Sequence, residues 1–273
     1  MWAQIHTICL NTAIVVWFLS APPLERSFRG FEIFMPLNKH IIIFSHGFGV
    51  QRDSRGLFTE LAKMLSAHQI ESLLFDYNEV NHDTKEVTVR PFSEQTKLLQ
   101  TTINETRQRN PDAMIDLLTH SQGLVMAASA KLDGIRRVIS LAPFFHTDIH
   151  SVLERHKQNP SSEINFTGTS RRVRTDGTTT IIPASYWSER FSTHIYELYN
   201  KLALTVPLTI VNAGEDEIMD SVNLSKVFNA YILNIHGNHD FTGESRKKLV
   251  EVVEEIVSTF IADAKSLVAA CPP

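Results

Sequence analysis

The 273-residue sequence predicts an α/β fold: a mainly parallel central sheet flanked by helices, with a small inserted cap. Three observations predict it. Short apolar runs alternate with helical periodicities, which implies βαβ crossovers and helices on both faces of a parallel sheet. The chemically distinctive turns follow the apolar runs, at the strand ends where such sheets bind ligands. Finally, about 60 residues separate the apolar run ending near Ala142 from the one starting near Val206, too many for a simple crossover.

The elements follow in order. The run "KHIIIFSHGFG" (39–49) reads as a strand buried on both faces and closed by glycines. In 56–70 the apolar positions 57, 58, 61, 64 and 65 have helical spacing. A short strand is expected in "ESLLFDY" (71–77), a helix over 92–110, a strand over 113–120 and a helix directly after it. Further strands are expected at 135–144, from Val206 to Gly214 and at 230–237, and a last amphipathic helix at 245–265. In the long connection, Asp176-Gly177 joins two β-branched runs, a hairpin signal. The aromatic stretch 183–203 reads as helical. A cap over 146–203, laid on the carboxyl edge of the sheet, accounts for both. Its aromatics Phe166, Tyr186, Trp187, Phe191, Tyr196 and Tyr199 are expected mostly in the cap's own core.

Residues 1–27 read as an extension, either loosely packed or a targeting segment, ahead of a domain spanning 28–273. "AIVVWFLSA" has the apolar character of a signal core, but no basic residue precedes it and Pro22-Pro23 follows its only cleavage alanine. Gln4, His6, Asn11 and Thr12 interrupt the run, so stable membrane insertion is not expected. Two cysteines, Cys9 and Cys271, make no disulfide framework. A cytoplasmic location is therefore expected, with secretion or export to a periplasm the alternative if residues 1–21 act as a signal.

Composition excludes some classes. A net charge of −4 gives no basic face for nucleic acid. "SRRVRTD" (170–176) is the local exception, and reads as a solvated hairpin rather than an anion site. "HGFGVQRDS" lacks the G-K-[ST] ending of a phosphate-cradling loop, so no nucleotide cofactor is expected. "HTDIH" (146–150) has His-x-Asp-x-His spacing, but no matching cluster elsewhere, so no metal is expected.

The chemistry centres on "LLTHSQGLVMAAS" (117–129), a strand, a sharp turn carrying Ser121, and a helix. The usual turn of this kind is G-x-S-x-G, and here the first glycine is Thr119. Three features elsewhere raise the weight of Ser121. "SHGFG" (45–49) can aim the Phe48 N–H at a developing oxyanion, with Gln122 N–H as a second donor. "NAGEDEIMD" (212–220) places Glu215, Asp216 and Glu217 at a strand end. "IHGNHDF" (235–241) places histidine in a loop before the last helix. Serine, acid and histidine come in the order a parallel-sheet hydrolase requires.

On these residues the chain, from about 39 to 262, resembles the α/β-hydrolase family. Its likeness is to bacterial cinnamoyl/feruloyl-type esterases and the serine-aminopeptidase-like branch, carried by "HGFGVQRDSRGLFTELAKML", "GEDEIMD" and "GNHDFTG". The resemblance implies Ser121 as nucleophile, His239 as base, Asp216 as the acid that orients it, and the Phe48 and Gln122 amides as oxyanion hole. It implies a cofactor-independent serine esterase acting on a small-molecule ester. Peptide, thioester, lactone or carbon–carbon cleavage on the same three residues is the alternative among enzymes, and a catalytically silent binder the alternative outside them. His46 and His120 are expected to be structural hydrogen-bonders, and Asp76 a loop cap. Thr119 and "DYNEV" (76–80) depart from the family pattern.

The small residue matters on one side of the turn more than the other. Thr119→Gly is expected to change turnover by less than about tenfold, roughly 1.4 kcal/mol of barrier. Gly123→Thr is expected to inactivate or unfold the protein. Collapse of Thr119→Gly with tolerance of Gly123→Thr, in paired activity and circular-dichroism measurements, contradicts this construction of the turn.

Overall fold

The computed structural model describes residues 7–10, 13–16, 39–157, 161–174, 176–218 and 222–269. The chain divides into two compact units, Met1–Leu37 and Asn38–Pro273. In the first, β1 (Thr7–Leu10) pairs antiparallel with β2 (Ala13–Val16). The expectations for the rest of 1–27 lie outside the described residues.

The second unit opens with β3 (His40–Ser45), α1 (Leu57–Ala67), β4 (Glu71–Leu74), β5 (Glu79–Asn81), β6 (Glu86–Thr88) and α2 (Phe92–Arg109). Next come β7 (Met114–His120), α3 (Gly123–Ser129), β8 (Ile135–Leu141), α4 (Ile149–Lys157), β9 (Ser170–Val173) and β10 (Thr179–Ile182). Helices α5 (Ala184–Ser192) and α6 (Ile195–Thr205) lead to β11 (Leu208–Ala213), β12 (Ala230–Ile235) and α7 (Glu244–Ala269). Among the described residues, no helix is long and apolar enough to cross a membrane.

Six strands form the central sheet in the order β12-β11-β8-β7-β3-β4, every neighbouring pair parallel. Alternation along each strand divides the core. Ile41, Ile43, Leu117, Val138 and Ile210 face α2, α3 and α6, whose contribution includes Leu99, Leu124 and Tyr199. Ile42, Phe44, Leu118, Ile139 and Val211 face α1 and α7 through Leu57, Phe58, Leu61, Leu249 and Val253. This is why β3 reads as an unbroken apolar run: each of its six residues is buried.

The strand order places the switch point. From β3 the chain moves outward to β4, then returns past β3 to β7 and continues the other way. A crevice therefore opens between β3 and β7 at their carboxyl ends, the place where such sheets bind ligands. The turns 46–49 and 121–122 stand on either side of it.

A second, smaller sheet has the order β5-β6-β10-β9. The expected hairpin is β9 paired antiparallel with β10. β10 also pairs parallel with β6, so half of this sheet comes from 79–88, which begins within "DYNEV" (76–80) and runs beyond it. α6 buries Ile195, Tyr199 and Leu202 in the core beneath the central sheet. Residues 146–203 thus hold both the β9–β10 hairpin of the second sheet and α6, which packs in the core of the central sheet.

Candidate active site

Ser121 ends the strand β7 with φ of 53°, in the left-handed region that a side chain rarely adopts. Such a conformation costs on the order of 1–3 kcal/mol and persists where the surroundings fix it. Here the Ser121 N–H donates to the Leu141 carbonyl at 2.9 Å, and the Phe144 N–H donates to the Ser121 carbonyl at 3.2 Å. The strained turn lifts the hydroxyl off the strand edge.

Gly123 explains how α3 leaves so abruptly. A Cβ at this position would stand 2.1 Å from the carbonyl oxygen of Ser45, a separation that forces backbone to move. The Ser45 hydroxyl donates to the Gly123 carbonyl at 2.9 Å, which leaves its oxygen to accept from Tyr77 Oη–H at 2.7 Å. On the other side of the turn, Thr119 lies in register between Ser45 and Ser140. These three small hydroxyl residues share the face that α3 covers, so room for the threonine comes from its neighbours within the sheet. The Thr119 hydroxyl is buried and has no hydrogen-bond partner among the described residues.

The structure brings together the sequence-predicted side chains. His239 Nε2 lies 2.9 Å from Ser121 Oγ, and His239 Nδ1 lies 2.8 Å from Asp216 Oδ2. All three residues are buried. With Nδ1–H donating to the carboxylate, Nε2 is left to accept the serine proton. Asp216 Oδ1 accepts from the Ile218 N–H at 2.9 Å, which orients the carboxylate. Glu217 instead accepts the backbone N–H of His239 at 3.2 Å, and Glu215 sits exposed beside His236, 3.5 Å away. The three acidic candidates thus have three separate positions.

The N–H groups of Phe48 and Gln122 make no hydrogen bond among the described residues. They belong to the two turns that flank the crevice, and a Cβ at Gly47 would reach within 3.0 Å of the Ser121 Cβ. The Gln122 side chain is held from both sides: its oxygen accepts from Tyr186 Oη–H at 2.6 Å, and its nitrogen donates to Gln95 at 3.1 Å. Tyr186 also packs against the Phe48 ring, centroids 5.2 Å apart. One tyrosine of α5 therefore touches both turns, a link between residues too distant in sequence for local pattern to reveal.

His46 and His120 are neutral braces. His46 donates Nδ1–H to the Gly47 carbonyl and accepts the Tyr77 N–H at Nε2, each at 2.9 Å. Burial holds its pKa below the ordinary value. His120 donates Nε2–H to the His239 carbonyl and accepts from the Ser54 hydroxyl, each at 3.0 Å. Burial first, and the adjacent His239 second, push its pKa down to about 4. Asp76 Oδ1 accepts the Arg52 N–H at 2.6 Å, closing the loop after β3.

The arginines of 170–176 differ from the expected solvated hairpin. Along β9 and the turn after it, alternation sends Arg171 outward to an ion pair with Glu86 at 2.7 Å, whereas Arg172 and Arg174 turn inward and are half-buried. Arg174 donates to the Phe48 carbonyl at 3.3 Å and to Thr180 Oγ1 at 2.7 Å. It also fills the space over Gly49, where a Cβ would stand 2.4 Å from its guanidinium. At 146–150, Asp148 caps the start of α4 by accepting from Ser151. Among the described residues no group of three His, Cys, Asp or Glu side chains could hold a metal ion.

No family model and no curated protein sequence matches the chain. Solved structures do. Est1E from Butyrivibrio proteoclasticus, with ferulic acid bound, superposes with a TM-score of 0.61 at 17% identity, covering 84% of this chain and 92% of that one. An esterase from Pyrococcus furiosus gives 0.59 at 11% identity, covering 94% and 91%. A structure of the metagenome-derived lipolytic enzymes LipS and LipT gives 0.58 at 12%, covering 83% and 94%. With the parallel sheet and its strand order, these likenesses establish the α/β-hydrolase fold.

The His120 environment sets a pH dependence of stability. The folded-state pKa of about 4 lies below the ordinary 6.5. Between these values the unfolded chain binds a proton that the folded chain does not, so stability is complete above pH 6.5 and falls as pH drops toward 4. His46 acts with the same sign. Urea unfolding at pH 7.0, 5.5 and 4.5 should show this decline, with a shallower slope in His120→Gln even if that variant is less stable throughout. An unchanged slope contradicts the assignment.

Proposed function

We propose that this protein is a serine hydrolase that cleaves carboxylic esters through an acyl-enzyme. The observation that carries the reading is the hydrogen-bonded series Asp216–His239–Ser121, set beside two backbone N–H groups without partners. The likeness to enzymes described as esterases and lipolytic enzymes supports ester hydrolysis among the reactions this fold hosts.

A serine hydroxyl is a weak nucleophile until a base removes its proton. In the proposed reaction Ser121 Oγ bonds to the ester carbonyl carbon as its proton passes to His239 Nε2. The carbonyl oxygen becomes an oxyanion, stabilised by N–H donation from Phe48 and Gln122. Asp216 holds the imidazole in the required tautomer and stabilises the imidazolium. Collapse breaks the bond to the alcohol oxygen, which takes the proton from His239 and leaves. Water then gives a proton to His239 and attacks the acyl carbon. The second collapse frees the acid and returns the proton to Ser121. The proton transfers close on these residues alone.

Ser121→Ala should lower kcat by on the order of 10⁶ on a p-nitrophenyl ester while far-UV and near-UV circular dichroism stay unchanged. Asp216→Asn should lower it by roughly 10⁴, because the amide favours the wrong histidine tautomer. Activity of Ser121→Ala within tenfold of the parent overturns the proposal. A large loss in Glu217→Gln with little in Asp216→Asn reassigns the acid.

A further inference from the structure

The cap holds a group of cations that the proposed chemistry does not use. Arg155, Arg172 and Arg190 line one cavity with Phe48, Ile182 and Trp187. The cavity therefore shares a wall with the turn that carries one of the proposed oxyanion donors. Its volume is about 40 Å³, room for a few water-sized groups at ~10–15 Å³ each.

Arg155 is engaged, donating to the Ile218 carbonyl, whereas the other two arginines differ. Among the described residues, the Arg172 guanidinium has no hydrogen bond and no carboxylate within ion-pair distance, though the residue is half-buried on the inward face of β9. Arg190 is buried, donates to the His146 carbonyl at 2.7 Å and lies 4.8 Å over the Phe144 ring, but it too has no carboxylate partner. Its Nε–H has no acceptor. Burial first, and the neighbouring Arg190 second, lower the pKa of Arg172. Placing like charges together in a partly desolvated cavity is costly unless an anion completes the arrangement. The contrast with Arg171, one residue away and paired to Glu86, indicates that carboxylates are available to this hairpin but stand on its other face.

We propose that the substrate is an ester bearing a second, ionised carboxylate, which Arg172 receives in this cavity beside Arg190. This rests on the serine-hydrolase reading for the reaction, and adds the substrate's charge. A planar guanidinium suits a carboxylate bidentately. In a chain of net charge −4, a positive cavity also draws an anionic substrate toward the crevice.

The test uses two matched substrate pairs on the full chain. For a carboxylate on the acid side, 4-nitrophenyl hemisuccinate is compared with its methyl ester. For one on the alcohol side, 4-acetoxybenzoate is compared with its methyl ester. The wild-type protein should favour the carboxylate member of at least one pair by tenfold or more in kcat/KM, less so at high salt. Arg172→Gln should remove that preference, acting mainly on KM, and leave the neutral member within about threefold. Arg172→Lys should retain part of it. No preference in either pair, or an equal loss on both members, overturns the proposal. A separate arm needs no turnover: calorimetric titration of monoethyl succinate into Ser121→Ala, with and without Arg172→Gln. Binding weakened at least tenfold by the arginine change supports the carboxylate site even if every ester proves inert, which would instead remove the hydrolase reading. Equal or undetectable binding in both proteins, with no preference in turnover, removes the site.

Discussion

The contact between Gly123 and the carbonyl of Ser45 is the constraint on which the site depends. Hydrogen at the glycine Cα lets the first turn of α3 press against the end of β3, where any side chain would collide with backbone at 2.1 Å. That approach brings the turn at 121–122 alongside the turn at 46–49, so that two amides from distant parts of the chain share one crevice. The interaction is also bonded, through the Ser45 hydroxyl to the Gly123 carbonyl, and Tyr77 fixes that hydroxyl in turn. A helix withdrawn by an ångström would leave Ser121 on its strand but separate the two donors. Electrostatic stabilisation of a developing charge depends on such placement, because the donors must be in position before the charge appears.

Around that contact the site is braced by neutral groups whose hydrogen bonds are complete. His46 and His120 each use one ring nitrogen as donor and the other as acceptor, and burial keeps both uncharged. A charged His120 would have to reverse the Ser54 bond, donating from both ring nitrogens, and would place a cation beside the ring of His239, whose centroid is 5.1 Å away. Residues from the 146–203 segment join the same framework through Tyr186, which holds Gln122 and packs on Phe48, and through Arg174, which donates to the Phe48 carbonyl. Phe48 belongs both to this framework and to the wall of the arginine-lined cavity, so the proposed oxyanion donor and the proposed substrate cavity meet at one residue.

Much of this was legible in sequence where burial on both faces of a strand wrote a continuous apolar run. β3 comes nearest to that kind, whereas Asp116 in β7, Arg136 and Arg137 in β8 and Asn212 in β11 interrupt strands that are nonetheless largely buried. β5 and β6 were not legible, being three residues each, "EVN" and "EVT", and stabilised by pairing with each other and with a strand ninety residues on. Ser121 and the turn at 46–49 stood out because close backbone approach demands glycine beside them. Sequence left Glu215, Asp216 and Glu217 open because all three occupy one loop, and two of them contact His239, one at its ring and one at its backbone. The inward turn of Arg172 follows from strand alternation, yet its lack of a partner depends on which face Glu86 occupies, and only the folded cap decides that.

The central claim is that Ser121 is an activated nucleophile, and covalent capture tests it most directly. Wild-type protein treated with a fluorophosphonate should gain one adduct by intact mass. Peptide sequencing should locate the adduct on the oxygen of Ser121, and Ser121→Ala should gain none. An unlabelled wild-type protein, or an adduct on another serine that survives in Ser121→Ala, would contradict the account.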